Sequence, residues 1–417
     1  MPKLLVVESG LEEYRRYILE SLREQGYQIT LLSAQAPTWQ ADLIEGAIVA
    51  DLADFPSTLA AVRAHAGAPF SGLFTYIETC IPLTAFLCAR LGFPFLPERD
   101  AKAVRDKGLM REKLRAAGLA VPEVERYAGD LASIVRRLGL PVVIKPVRGF
   151  SSMNVVKLER TEDVVDAEAS IRGWLAGMNP LLGDGFLIEQ YIEGPEFSVE
   201  SAVERGPHPR VRHSHVTDKA KGPEPFFEEI GQCVPAAIGA GLRERLLAVA
   251  EAGIRALGIE SSIAHTELRV SPSLGPVIME IGARLAGDGI PLLARHATGV
   301  DLVRAAAELA LGRPAVLAHS RAGAAAIFYF SPKRRQTVRA GIPRAPGIEG
   351  LVEFRFEARA GQEVAPPPGA FFTRLGHGVI RAETPERCKE LGAELLRRVE
   401  EQCGVELMAM DWAVSPR

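Results

Sequence analysis

Two short apolar runs, each carrying one carboxylate, stand either side of a turn: His265-Thr266-Glu267-Leu268-Arg269, then Ser271-Pro272-Ser273-Leu274-Gly275-Pro276, then Val277-Ile278-Met279-Glu280-Ile281-Gly282-Ala283-Arg284. Proline and glycine between the runs predict a hairpin, and a hairpin sets Glu267 and Glu280 side by side. Like charges facing one way repel unless a cation lies between them. Magnesium is the natural candidate, because it takes oxygen ligands and shares them with substrate phosphates. The alternative, a surface hairpin with solvated acids, fits poorly with Glu280 inside Val-Ile-Met-Glu-Ile, where an unpaired charge is costly. Arg284, just past the second run, is placed to neutralise a phosphoryl group or an oxyanion.

Upstream, the apolar strand Val142-Val143-Ile144 ends in Lys145-Pro146 and runs into a loop holding Gly149, Ser151 and Ser152. A lysine at a strand end holds phosphate oxygens as a point charge while loop N–H groups meet the same oxygens. By itself Lys145 reads better as a solvated strand terminus. Phe186 to Glu196 is a second apolar strand with acids beyond it. Glu189 and Glu196 suit an adenine amino group and ribose hydroxyls, with Tyr191 and Ile192 offering backbone groups to the base edge; their alternative is two solvated acids beside a turn.

Further out, Lys3–Val7, a helical pattern over 11–25 and a second run at 27–32 have the rhythm of strand, crossover helix and parallel strand. The first hundred residues read as a small doubly wound α/β domain, without the G-x-G-x-x-G of a dinucleotide site. One amphipathic helix is expected over 100–118. Strands are expected to dominate from Val121, with helices at 241–257, 300–311 and 385–403. The expected division is an N-terminal Rossmann-like α/β domain over 1–99, a central region over 100–315 with lobes at about 122–191 and 192–315, and a C-terminal α+β domain over 316–417.

The composition sets limits. In 417 residues, 49 Lys and Arg against 52 Asp and Glu give a formal charge of −3, with 47% hydrophobic and 24% charged residues. These are globular proportions, and near-neutral charge argues against a nucleic-acid binder that works through a basic surface. Lys333-Arg334-Arg335 reads as a solvated turn. Five cysteines without a C-x-x-C pair suggest neither a disulfide framework nor a cysteine zinc site. A soluble cytoplasmic protein is expected: Leu4 to Val7 is cut off at Glu8, and Leu73 to Leu96 is too interrupted to span a membrane.

Taken in order, a lysine helix, a lysine strand with its glycine loop, Glu189-Gln190-Tyr191-Ile192-Glu193-Gly194-Pro195-Glu196, and paired acids followed by Arg284 resemble the ATP-grasp superfamily from about Asp106 to Leu311. The resemblance implies an ATP-grasp fold with an N-terminal Rossmann-like domain, and ATP held between two lobes. It implies a carboxylate converted to an acylphosphate that an amine then attacks. It places Lys107 and Lys145 on the ATP phosphates, Gly149, Ser151 and Ser152 in a mobile phosphate loop, and Glu189, Gln190, Tyr191 and Ile192 at the adenine, with Glu196 at the ribose. Glu267 and Glu280 fall at the magnesium ligands, two ions with manganese able to substitute. Gly282 stands where many members have Asn.

Gly282 to Asp288 and Arg374 to Ala382 look most like the L-amino acid ligases, dipeptide-forming carboxylate–amine ligases. That branch implies a substrate-contacting Glu229 in Phe227-Glu228-Glu229-Ile230-Gly231, with Gln232, Arg284 and Gly287 nearby. Glu78 and Asp288 are carried over as pocket acids, or else are a helix cap and a solvated turn acid. Arg284, with Lys145, is the expected catalytic group. The loops 148–154 and 219–225 are the expected lids. The expected substrates are a small-molecule amino acid or carboxylate and an amine, in a possible homodimer. Rivals are a ligase that loads a carrier protein or pathway intermediate, a bicarbonate-activating enzyme, or a non-catalytic nucleotide-binding module.

Overall fold

The structure, a computed structural model, describes residues 1–412 apart from 68, 178–182, 184, 342–343 and 371–372. Its first unit is a four-stranded parallel sheet in the order Gly46–Val49, Gln28–Ser33, Lys3–Val7, Gly72–Phe74. Leu4 to Val7 are fully buried because the central strand is covered on both faces. Helices Glu12–Glu24 and Phe55–Ala64 are the crossovers.

The expected single helix over 100–118 is two. Glu98–Arg105 stops at Asp106, which leaves the helical region (φ −95°, ψ 107°), and its carboxylate caps a new helix, Lys107–Ala116, by accepting from the N–H groups of Gly108 and Leu109 at 3.0 and 3.1 Å. Aspartate is a strong N-cap because its side chain replaces a missing helical acceptor. The break puts Lys107 at the first helical position.

A small antiparallel sheet follows, in the order Val124–Arg126, Phe186–Gln190, Val142–Pro146, Val156–Leu158. Helices Leu131–Leu138 and Val164–Ala176, which the sequence reading left out, back it and share its core. The third layer is an eight-stranded antiparallel sheet: Gly275–Gly282, Ser262–Ser271, Glu196–Glu204, Arg210–Lys221, Glu229–Val234, Ala324–Tyr329, Gly376–Ala382, Leu351–Phe356. The last three strands extend the sheet that carries the paired acids.

Strand periodicity divides this sheet's faces. Phe197, Val199, Ala264 and Leu268 join the core with Leu246, Ala250 and Ile254 of helix Ala240–Ala256. The alternate positions are polar: Glu196, Ser198 and Glu200 on one strand, His265, Glu267 and Arg269 on the next. That polar face meets the small sheet across a cleft. Among the described residues no helix is long and apolar enough to cross a membrane.

Candidate active site

The cleft, about 950 Å³ of space that is open to solvent, is lined from both sheets, Lys107, Lys145, Gly149, Ser151, Ser152 and Tyr191 facing Glu229, Glu267, Glu280 and Arg284. Lys145 ends its strand buried, 2.5 Å from a Glu189 oxygen. Burial outweighs that carboxylate and pulls the lysine down to about 8. The Lys107 ammonium donates to the Gly149 carbonyl at 2.8 Å and stands 3.0 Å from Glu280. Ser151, Ser152 and Asn154 have φ of 52°, 51° and 58°, left-handed conformations that non-glycine residues adopt at a cost. Within the loop the N–H groups of Gly149, Met153 and Val155 donate to the carbonyls of Pro146, Phe150 and Ser152, and the tight turns this makes belong to the lining of the cleft.

Glu189, expected at the adenine, lines the cleft and faces the fully buried Arg111 at 3.1 Å as well as Lys145. Opposing burial, the two cations hold its carboxyl below the ordinary range. Gln190 is exposed, Ile192 is buried, and the Tyr191 hydroxyl donates to Glu224 at 2.5 Å. Glu196 is ion-paired with Lys221, with Arg269 at 3.0 Å and with Lys219 at 3.3 Å.

At the other end the expected hairpin forms, and a register shift between Glu267 and Leu268 sets Glu267 opposite Glu280. Lys219 corrects an expectation. It lies on the strand Arg210–Lys221, nearly inaccessible, with its ammonium 2.5 Å from Glu267, 2.6 Å from Glu229 and 3.3 Å from Glu196. The expected lid over 219–225 therefore begins only after Lys221. Its part Gly222 to Pro225 rests on the small sheet through Lys157, whose N–H donates to the Pro225 carbonyl at 2.9 Å and whose ammonium meets Glu224 at 2.5 Å.

Oxygens of Glu196, Glu229 and Glu267 lie within 4.8 Å of one another. A dense carboxylate set gathered on one ammonium, with Glu280 across the hairpin, has the hard oxygen donors that suit a divalent ion such as magnesium. His265 stiffens it, its Nδ1 lying 2.7 Å from the fully buried Glu200 and its Nε2 3.2 Å from Glu267. Burial raises Glu267's pKa, but Lys219 and His265 hold it well below the usual range. Burial lifts Glu229 to about 8 against the pull of Lys219.

The remaining pocket residues are less open than expected. Gln232 is fully buried and donates to Glu229 at 3.0 Å, so it orients that acid from behind. Asp288, expected on the pocket wall, is held by Arg374 at 2.9 and 3.1 Å, and Arg374 also donates to the Glu229 carbonyl at 2.9 Å. Gly287 lies beside Arg15, whose side chain bonds the Ala286 carbonyl. Glu78, expected to meet substrate, is buried and spends one oxygen on Arg284 and the other on Arg105, at 2.9 Å. Sequence reasoning missed Arg105, Arg111, Lys219, Lys221, His265, Arg269 and Arg374. The period-two spacing of Lys219 and Lys221, and of His265, Glu267 and Arg269, was the available signal for four of them.

Residues 138–291 match the ATP-grasp domain family. A D-alanine–D-alanine ligase of Desulforudis audaxviator is 32% identical over 223 residues, 49% of this chain and 69% of that protein. Carnosine synthase 1 of Gallus gallus is 26% identical over 373 residues, 84% of this chain. The chain spans 39% of that synthase's length. The solved structure of an L-amino acid ligase from Bacillus licheniformis superposes with a TM-score of 0.78 at 22% identity over 99% of both chains, a likeness of fold. The chain belongs to the ATP-grasp family, in its carboxylate–amine ligase branch.

Proposed function

We propose that the protein is an ATP-dependent ligase that joins an amino acid carboxylate to an amine as a dipeptide-type amide, through an acylphosphate, with release of ADP and phosphate. The observation that carries this is the meeting of two sets of charges across one cleft. Lys107, Lys145 and the bent loop of Gly149, Ser151 and Ser152 come from one side, and Glu267, Glu280 and Arg284 from the other. The family uses ATP with magnesium. Gln190, Tyr191, Ile192 and Glu196 line the end where the nucleoside fits, and the two lysines meet its phosphates.

Glu267 and Glu280 would hold magnesium, which neutralises phosphate charge as the carboxylate attacks. We extend the reading to two ions, with manganese able to substitute. Lys145 and Lys107 orient the phosphates, a task of positioning and electrostatics. Arg284 lies beyond the second acid, where it faces the oxyanion formed when the amine attacks the acylphosphate. Glu229, kept near neutral by burial and held by Lys219 and Gln232, is assigned to the substrate amino group, with Gly287 at the same end. The segment Gly222 to Pro225 and the loop 148–154 close the cleft against water, which would hydrolyse the acylphosphate. Free small-molecule substrates, a cytoplasmic setting and a homodimer complete the reading, with the divisions 1–99, 100–315 and 316–417 as its domains.

The test is magnesium-dependent ADP and phosphate release across pairwise mixtures of the proteinogenic amino acids, with Glu280→Ala as the blank. Mass spectrometry of active mixtures is expected to find a product at the summed mass of two substrates less water. ATP binding without turnover in any mixture points to an unusual or carrier-bound substrate. Turnover that needs bicarbonate and no amino acid overturns the proposal, as does failure to bind ATP.

A further inference from the structure

Arg284 does not stand alone. Its Nε donates to Oε2 of Glu78, and Oε1 of Glu78 accepts from Nη1 of Arg105 at 2.9 Å. The other terminal nitrogen of Arg105 donates to the Arg148 carbonyl at 2.8 Å, at the start of the phosphate loop. The three side chains are 5%, 7% and 13% exposed for Arg105, Glu78 and Arg284, so the chain of contacts is shielded from water. It joins three parts of the fold: the segment Glu78–Cys80 after the parallel sheet, the last residue of helix Glu98–Arg105, and the turn after the metal-acid hairpin.

Two further observations bear on it. Arg105 and Lys107 flank the helix break at Asp106 and hold successive carbonyls of one loop, Arg148 and Gly149. The break thus aims two cations at neighbouring peptide groups. Gly282 explains itself in the same place, because a Cβ there would lie 3.0 Å from the Glu78 Oε2 that binds Arg284. A side chain at 282 and the Glu78–Arg284 pair compete for one space. Buried ion triads contribute little net stability relative to apolar packing, whereas this one ties each guanidinium to a defined carboxylate oxygen.

We propose that Arg105 is a positioning residue for ligation: through Glu78 it fixes the Arg284 guanidinium, and through the Arg148 carbonyl it fixes the phosphate loop, so that the phosphate-binding and oxyanion-binding groups keep one separation. Glu78 is the centre of this relay. A misplacement of about 1 Å between reacting groups costs on the order of 100-fold in rate. The consequence for turnover rests on the ligase reading, but the mechanical coupling does not.

The test uses the full chain with Arg105→Met and Arg105→Lys. Hydrogen exchange of the free protein is expected to quicken at least tenfold in both 148–154 and 283–287 for Arg105→Met. For Arg105→Lys it quickens in 148–154 alone, since one ammonium keeps Glu78 but cannot also reach the Arg148 carbonyl. In turnover, Arg105→Met is expected to lower kcat about 10- to 100-fold with KM for ATP within about threefold, and Arg105→Lys to recover part of kcat. Unchanged exchange at 283–287 in Arg105→Met overturns the relay. So does a fall in thermal midpoint with kcat of the remaining folded enzyme intact. A wild-type chain that fails to bind ATP, or that turns over only with bicarbonate, would refute the ligase reading, and the exchange arm would still decide the relay.

Discussion

Replacing Glu189 by Gln tests the electrostatic argument for the nucleotide lobe most directly. Glu189 is 3% exposed and lies between Lys145 at 2.5 Å and Arg111 at 3.1 Å, and Arg111 is fully buried. At an effective dielectric constant of about 20, contacts of these lengths each carry roughly 5–7 kcal/mol of attraction, set against a desolvation cost of several kcal/mol per ion. Removing the anion keeps the second term and loses the first. The two cations respond differently. Lys145, already drawn down to about 8 by burial, sheds its proton at pH 7.5, so its share of the cost stays under about 1 kcal/mol. Arg111 cannot do so, and the Met279 carbonyl at 2.8 Å remains as its acceptor. The expected loss is therefore about 3 kcal/mol, the lower end of the range for breaking a buried pair.

The assay is urea unfolding followed by the fluorescence of Trp174, which stacks on Phe186 in the same lobe at 5.6 Å, with ATP titration alongside. Glu189→Gln is expected to unfold at lower urea and to bind ATP roughly 10- to 100-fold more weakly at pH 7.5, since a neutral Lys145 forfeits a charge-assisted contact. Adding Arg111→Met is expected to restore most of the stability without restoring affinity. A single variant as stable as the wild type, or a double variant no more stable than the single, would refute the reasoning.

Three other outcomes are expected. Because Lys145 loses its charge as pH rises through about 8, ATP affinity should fall on that alkaline limb, and Lys145→Arg should move the limb upward; a limb unmoved in that variant assigns it elsewhere. Burial would raise Glu78, but Arg284 and Arg105 hold it near 2, so the stability it lends is present above its ordinary range near 4.5 and lost as pH falls toward 2; acid unfolding of Glu78→Gln should be correspondingly shallower, and an unchanged acid limb counts against the pair. Glu267→Ala and Glu280→Ala should each lower magnesium-dependent ADP release by at least about 100-fold, with nucleotide binding still measurable by calorimetry; turnover within about tenfold of wild type would remove that residue from the metal site.

Much of this protein was legible along the chain because the relevant physics is local. Alternation and turn residues between Ala264 and Ile281 specify a hairpin, which brings Glu267 and Glu280 onto neighbouring strands; a register shift between Glu267 and Leu268 then sets the two directly opposite, where uninterrupted pairing from the turn would have put Glu267 against Met279. The strand–helix rhythm of the first hundred residues likewise specified a parallel sheet. The helix break at Asp106 was also written locally, as an aspartate before a new helical turn, but the amphipathic pattern runs through it and hid the cap.

What tertiary structure alone decided is which charges meet. Glu189 finds Arg111 78 positions away, Asp288 finds Arg374 at 86, and Glu78 finds Arg284 at 206. Those partners engage three acids that the sequence alone assigns to ligand contacts, and the fold makes Lys219 the centre of a carboxylate cluster. The physical reason is one of range. Periodicity governs which face a side chain takes, over a few residues. The cost of burying a charge is met by whatever opposite charge the closed fold brings within about 3 Å, and no spacing along the chain encodes that.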